Sequence, residues 1–71
     1  MKVWAKVLRY MYDNKHRSLT ARQVARGARV SETAARRALR ELEDANKVLR
    51  DLDIGHNSQA VNIYSYCVTD D

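Results

Sequence analysis

The chain has 71 residues, a formal net charge of +4 and a single cysteine. A chain of this length forms at most one domain and buries only roughly 60% of its unfolded surface, which argues against a large enclosed active-site cavity. One cysteine excludes an intramolecular disulfide, and the longest apolar runs are too short for a membrane span or a signal peptide. A cytoplasmic location and no membrane partner are therefore expected.

The charge is distributed unevenly along the chain. Positions 1–50 contain all thirteen basic residues and five acidic ones, a net +8, whereas positions 51–71 contain four aspartates and no lysine or arginine, a net −4. Seven arginines and one acidic residue lie between Arg17 and Arg40. This asymmetry favours a polyanionic partner for the first part of the chain.

The first predicted element is a helix over about residues 2–14. Its apolar residues recur with the spacing of one helical face, which predicts that they are buried. These residues are Val3, Trp4, Val7, Leu8 and Met11.

A capping box predicts the second helix, over about residues 20–27. In the segment from Thr20 to Gln23 the threonine hydroxyl and the glutamine side chain satisfy free amides at the helix start. Gly27 permits the helix to end. Leu19 either packs against Val24 or lies in a strand of one or two residues.

Ser31 is the predicted N-cap of a third helix, over about residues 31–45, with Glu32 in its first turn. Asn46 suits the left-handed turn that ends a helix. The predicted buried face consists of Ala35, Ala38, Leu39 and Leu42. The opposite, outward face then carries Glu32, Thr33, Arg36, Arg37 and Arg40.

After Asn46 the pattern changes to that of strands. Residues 47–53 and 60–68 are predicted strands joined by a polar turn, so that residues 47–68 form a hairpin. Tyr64, Tyr66 and Val68 share the face expected to pack on the helices. Three helices followed by a two-stranded hairpin wing define the predicted fold class, an α+β winged helix-turn-helix in one domain, residues 1–71.

Several segments resemble known DNA-binding modules. Residues 23–31, QVARGARVS, resemble the helix-turn-helix of bacterial regulators, and residues 30–43, VSETAARRALRELE, are similar to the DNA-binding module of the GntR family. The strand ending in residues 66–69, YCVT, resembles the wing strand of MarR-like regulators, and the overall layout resembles the compact PapI-type regulators. The resemblance implies DNA binding through the third helix.

Three positions depart from these patterns. Arg29 occupies a turn position usually held by glycine, so its backbone is expected to be strained or not left-handed. Glu32 stands where a basic residue is common; it can accept a hydrogen bond from cytosine N4 but repels phosphate. Asp51 and Asp53 in the wing weigh against its contact with the minor groove.

These considerations give a set of candidate DNA-binding residues. The outward face of a recognition helix enters the major groove, and arginine suits bidentate contact with guanine or phosphate. The recognition-helix candidates are Ser31, Glu32, Thr33, Arg36, Arg37 and Arg40. Candidates for backbone contact are Thr20, Arg22 and Arg29, and candidates at the wing tip are His56, Asn57, Ser58 and Gln59. The alternative is a solvated helix face in which Arg37 pairs with Glu41, and Arg40 with Glu43 or Asp44.

No enzyme, metal or cofactor hypothesis is supported, because the two histidines lack ligand-spaced partners and no phosphate-binding glycine loop is present. No small-molecule ligand is expected. The sequence favours a sequence-specific double-stranded DNA-binding protein, a small transcriptional regulator acting as a homodimer or binding cooperatively. The alternatives are a winged helix that docks on a polymerase, replication or regulatory protein, and a non-specific architectural or recombination-accessory DNA binder.

Overall fold

The computed structural model of the protein describes residues 1–54 and 60–67. Its elements in chain order are α1 (Val3–Asp13), β1 (Leu19–Thr20), α2 (Ala21–Ala28), α3 (Glu32–Asp44), β2 (Val48–Ile54) and β3 (Ala60–Tyr66). The three helices form one layer, and β2 and β3 form an antiparallel hairpin beside it. This arrangement is the winged helix that the sequence predicts.

Side-chain caps start α2 and α3 at the predicted residues. The Thr20 hydroxyl accepts a hydrogen bond from the Gln23 amide at 3.2 Å, and the Gln23 side chain accepts one from the Thr20 amide at 2.9 Å. The Ser31 hydroxyl accepts a hydrogen bond from the Ala34 amide at 3.1 Å. Both caps satisfy amides that a helix start leaves without a partner, and they set the entry of the chain into the helix-turn-helix.

Both helices of the helix-turn-helix end in a left-handed residue. Arg29 follows α2 with φ of 59°, and Asn46 follows α3 with φ of 60°. The amide of the next residue closes each turn on the helix: Val30 donates to the carbonyl of Ala25, and Lys47 to that of Leu42. Asn46 therefore ends α3 as predicted. Of the two alternatives expected for Arg29, a strained backbone or one that is not left-handed, the structure shows the first. Left-handed backbone is strained because it is unfavourable for a residue with a Cβ.

Gly27 does not end α2 as predicted. The helix continues to Ala28, and Gly27 has no positive φ. A Cβ at this position would collide with the ring of Tyr10, which lies directly against the Gly27 backbone. Gly27 therefore allows the close approach of α1 to α2.

The core lies where the helices meet the sheet. The side chains of Val7 and Met11 are fully buried, as predicted, but Val3 and Trp4 are 38% and 44% exposed. The periodicity of α1 is regular, but its first turn extends beyond the core. The other buried residues are Leu19, Ala21, Val24, Ala25, Ala35, Ala38, Leu39, Leu42, Val48 and Tyr64.

The sheet contains a short third strand in the order β1-β3-β2. Leu19 of β1 lies opposite Tyr64 of β3. Of the two predicted positions for Leu19, the structure therefore shows the one in a short strand. Tyr64 is buried and Tyr66 half-buried, so the tyrosine face of β3 packs on the helices as predicted; Val68 lies outside the described residues. The opposite face of the hairpin, here called the outer face, comprises Leu49, Asp51, Asp53, Val61, Ile63 and Ser65.

Candidate nucleic-acid interface

The face of α3 opposite the core is open to solvent. Ala35, Ala38, Leu39 and Leu42 are buried. All five residues predicted to point outward are exposed, namely Glu32, Thr33, Arg36, Arg37 and Arg40. The exposed face begins immediately after Ser31, so it includes the N-terminal turns of the helix, where the backbone amides give a positive potential.

Four arginines from three elements line one open groove, here called the arginine groove. Arg22 comes from α2, Arg36 and Arg40 come from α3, and Arg50 comes from β2; the groove has a volume of about 880 Å³. Its lining also includes two acidic residues, Glu32 and Glu43, so the formal charge of the ionised groups is +2. The groove runs between α3 and the hairpin, with the start of α2 at its edge.

Two ion pairs arrange the charges of the arginine groove. Arg36 Nη2 donates to Glu32 Oε1 at 2.7 Å within α3. Arg50 Nε donates to Glu43 Oε2 at 3.0 Å and connects the wing to α3. The hydrogen bond to Glu43 is the main cause that raises the pKa of Arg50 above its usual value, followed by the charge of Glu43.

The ion pairs of the solvated-face alternative, Arg37 with Glu41 and Arg40 with Glu43 or Asp44, do not form. Among the described residues the ion pairs are those of Arg36 and Arg50 alone. Within that part of the chain, Arg40 and Arg22 therefore face the groove without a carboxylate partner. Glu43 pairs across to the wing because Arg50 lies on the inner face of the hairpin, opposite Tyr64.

Arg37 lies apart from the other arginines of α3. It lines a second, smaller groove of about 190 Å³ between α3 and the start of α1, here called the Trp4 groove. Val3, Trp4, Ala34 and Glu41 are among its other lining residues. Adjacent positions on a helix are separated by about 100°, so Arg36 faces the wing while Arg37 faces α1.

The remaining candidates divide into three groups. Thr20 and Arg22 line the edge of the arginine groove, whereas Arg29 is exposed in the turn and is not part of the groove lining. Ser31 is exposed at the start of α3. The wing-tip candidates His56, Asn57, Ser58 and Gln59 lie outside the described residues.

Arg50 is not among the candidates that the sequence predicts. Its position two residues after the buried Val48 places it on the inner face of β2, and this alternation is a usable signal. Its proximity to Glu43 cannot be read from the sequence, because it depends on how the hairpin packs against α3.

The chemistry of the arginine groove suits a phosphate-bearing ligand. Guanidinium groups bind phosphate oxygens or the guanine edge through two parallel hydrogen bonds, and the Thr20 region adds a helix start. Within residues 1–54 and 60–67, no group of three or more His, Cys, Asp or Glu side chains is placed to hold a metal ion. In the same residues, each helix falls short of the length and apolar character that a membrane span requires.

Comparison with known proteins identifies the fold. No protein-family model and no curated protein matches the sequence. A solved structure described as a possible transcriptional regulator from Methanosarcina mazei Go1 matches 93% of this chain with a TM-score of 0.85 and 14% sequence identity. This chain spans 55% of that protein's length. At this identity the similarity shows the winged-helix fold alone.

Proposed function

We propose that this winged helix binds double-stranded DNA in a sequence-specific manner and acts as a small transcriptional regulator. The observation that carries the proposal is the arginine groove, in which arginines from α2, α3 and β2 converge beside the exposed face of α3. The similarity of residues 30–43 to GntR-type modules and the regulator-like fold support it. A solvated helix face accounts for the arginines of α3, and the ion pair with Glu43 accounts for Arg50, but neither accounts for the position of Arg22 at the edge of the same groove.

The geometry suggests distinct tasks for the arginines. The first turns of α3 enter the major groove, where Arg36 and Arg40 bind guanine edges or phosphates. Arg22 and Arg50 bind the phosphates of the strand that runs along the arginine groove, and Thr20 lies at the same edge. Glu32 holds Arg36 through the 2.7 Å pair and so limits the directions in which Arg36 can reach. Ser31 and Thr33 lie at the exposed start of α3 and Arg29 lies in the turn before it, whereas Arg37 faces α1.

One module of this size offers a limited contact area on DNA. Sequence-specific binding at physiological salt is therefore proposed to involve a homodimer or cooperative binding of several copies. Each copy then adds its own phosphate contacts, and the total affinity rises steeply with the number of copies.

The test is fluorescence anisotropy of a labelled mixed-sequence duplex, titrated with protein at several salt concentrations. Wild type is expected to bind with a log-linear salt dependence, at a slope of about −0.9 per phosphate contacted. The double variant Arg36→Ala, Arg40→Ala is expected to bind this duplex more weakly, with a slope shallower by about one for each arginine that contacts a phosphate.

The matched control is the double variant Arg9→Ala, Lys47→Ala. Arg9 and Lys47 are exposed and are not part of the arginine groove lining, and their removal changes the net charge by the same amount as the groove variant does. If the control weakens binding as much as the groove variant, general charge and not the groove is responsible. If wild type binds no duplex at low salt, the proposal is wrong.

One observation favours a second candidate function, docking on a protein. The outer face of the wing combines exposed Leu49 and Val61 with Asp51 and Asp53 and carries no lysine or arginine. Such a face repels phosphate and suits a basic, partly apolar protein surface. The two candidates are compatible, because Leu49, Asp51 and Asp53 of the outer face are not part of the arginine groove lining, and Val61 alone belongs to both surfaces.

A further inference from the structure

Two surfaces of the described residues combine exposed large apolar side chains with exposed charged ones of a single sign. On α1 and the residues before it the apolar side chains include Met1, Val3 and Trp4, exposed by 78%, 38% and 44%. On the outer face they are Leu49 and Val61, exposed by 57% and 45%. Leu52 and Ile54, exposed by 60% and 73%, lie on the inner face of the hairpin and belong to neither surface. Scattered exposed apolar residues are common, but clustered ones that include tryptophan and methionine are typical of protein contact surfaces.

The two surfaces carry opposite charges. The start of α1 adds exposed Lys2 and Lys6, and residues 1–12 contain no acidic residue. The outer face adds exposed Asp51 and Asp53. A contact between two outer faces would bring aspartates together, and a contact between two α1 starts would bring lysines together. Only the contact of one surface with the other pairs opposite charges.

A chain cannot make this contact within itself. The strand register places Leu49, Asp51, Asp53 and Val61 on the side of the hairpin opposite to Val48 and Tyr64, which pack on the helices. The α1 helix belongs to that helical layer, so the outer face points away from it. The contact must therefore join two copies of the chain.

The Trp4 groove offers a matching site on the α1 side. Its volume of about 190 Å³ is smaller than a typical small-molecule site of roughly 300–1,000 Å³ and suits one large apolar side chain. Leu49 on the outer face is such a side chain, and Asp51 and Asp53, which follow it on the same face at two and four residues along β2, would lie near Lys2 and Lys6. Trp4, partly exposed in this groove, is the type of residue that dominates binding energy at protein contacts.

We propose that copies of this chain associate head to tail, with the outer face of one wing docked on the start of α1 and the Trp4 groove of the next copy. The contact is heterologous, so each end of an assembly retains one unused surface and further copies can add. Arg22, Arg36 and Arg40 are not part of either surface and stay available. The small contact is weak in solution, and binding of neighbouring copies to one duplex raises their effective concentration.

The test uses two charge-reversal variants of the full chain. The wing variant is Asp51→Lys, Asp53→Lys, and the helix variant is Lys2→Glu, Lys6→Glu. Self-association is measured without DNA by sedimentation at low salt over a range of protein concentrations. Each variant alone is expected to associate at least about tenfold more weakly than wild type, because like charges then face each other.

An equimolar mixture of the two variants is the decisive sample. The charge-reversed wing of the wing variant is complementary in charge to the charge-reversed α1 start of the helix variant. The unmodified α1 start of the wing variant is likewise complementary to the unmodified wing of the helix variant. Association is therefore expected to return in the mixture. The control variant Asp13→Lys, Asp44→Lys has the same charge change as the wing variant at exposed residues outside both surfaces, and is expected to associate more strongly than the wing variant.

Three results would overturn the proposal. The first is a wild-type chain that stays monomeric at the highest concentration. The second is a control variant that weakens association as much as the wing variant does. The third is association that returns when the wing variant is mixed with wild type but not when it is mixed with the helix variant. That result would indicate a contact between two wings.

A second arm measures cooperativity on DNA, as the ratio of affinities for duplexes with tandem and single sites. This ratio is expected to be lower for the wing variant than for the control variant. An equal ratio for the two variants would contradict the proposal. This arm rests on the proposed function, whereas sedimentation does not. Failure of all duplex binding would refute the proposed function and leave the sedimentation result to decide the head-to-tail contact.

Discussion

Arg29 offers a prediction in which stability and function change in opposite directions. Its φ of 59° and ψ of 47° are left-handed, a conformation that costs a residue with a Cβ roughly 1–2 kcal/mol and costs glycine almost nothing. Glycine makes the unfolded chain more flexible, which offsets about 0.4–1 kcal/mol of that gain. The substitution Arg29→Gly is therefore expected to stabilise the fold by about 0.5–1 kcal/mol and to raise Tm by roughly 2–8 °C.

The assay is urea unfolding and thermal melting followed by circular dichroism. Asn46→Gly is the matched control, because Asn46 has nearly the same φ but asparagine tolerates it, so its gain is expected to be only a few tenths of a kcal/mol. Arg29→Ala retains the backbone cost and is expected to give no gain. A destabilised Arg29→Gly variant would refute the assignment of strain to this turn.

The same variants test the role of the Arg29 side chain. If its guanidinium binds a DNA phosphate, Arg29→Gly and Arg29→Ala lower duplex affinity equally and reduce the salt slope by about one. A strained arginine where glycine is more stable is consistent with such a role. Equal affinity of wild type and both variants would remove Arg29 from the candidate interface.

Three further perturbations test the packing and the electrostatics. Leu39→Ala removes a fully buried side chain and is expected to cost about 2–5 kcal/mol in urea unfolding; a loss below about 1 kcal/mol would contradict its central position. Gly27→Ala is expected to destabilise by about 1–3 kcal/mol because its Cβ meets the Tyr10 ring. In a Tyr10→Ala background the same change is expected to be neutral or stabilising, and an unchanged penalty there would refute the contact. Glu43→Gln is expected to strengthen duplex binding, since it removes a carboxylate from the arginine groove and releases Arg50. Because the pKa of Arg50 is raised in the folded protein, this side chain stays charged up to a pH well above neutral. The contribution of Arg50 to duplex affinity should therefore not change between about pH 6 and 9. A strong pH dependence of that contribution in this range would contradict the prediction.

Local chemistry accounts for what the sequence predicts well. The caps at Thr20 and Ser31 and the left-handed turn at Asn46 depend on residues close in the chain, so their patterns are readable without the fold. The buried face of α3 follows from helical periodicity, and the inward position of Tyr64 agrees with strand alternation.

The mispredicted features depend on how elements pack together. Periodicity shows which side of α1 is apolar but not where the core ends, so it wrongly predicts burial of Val3 and Trp4. The separation of Arg37 from the arginine groove depends on α1 and the wing lying on opposite sides of α3. The pairing of Arg50 with Glu43 likewise requires the position of the hairpin.

DNA binding through the arginine groove can be observed residue by residue in an NMR titration of the labelled protein with a short duplex. Amide shifts are expected to change at the start of α2, along the exposed face of α3 and around Arg50, while exposed residues of α1 such as Arg9 and Asp13 change little. Shift changes concentrated on α1 or on the outer face, with the arginine groove unaffected, would show that the groove is not the DNA-binding surface.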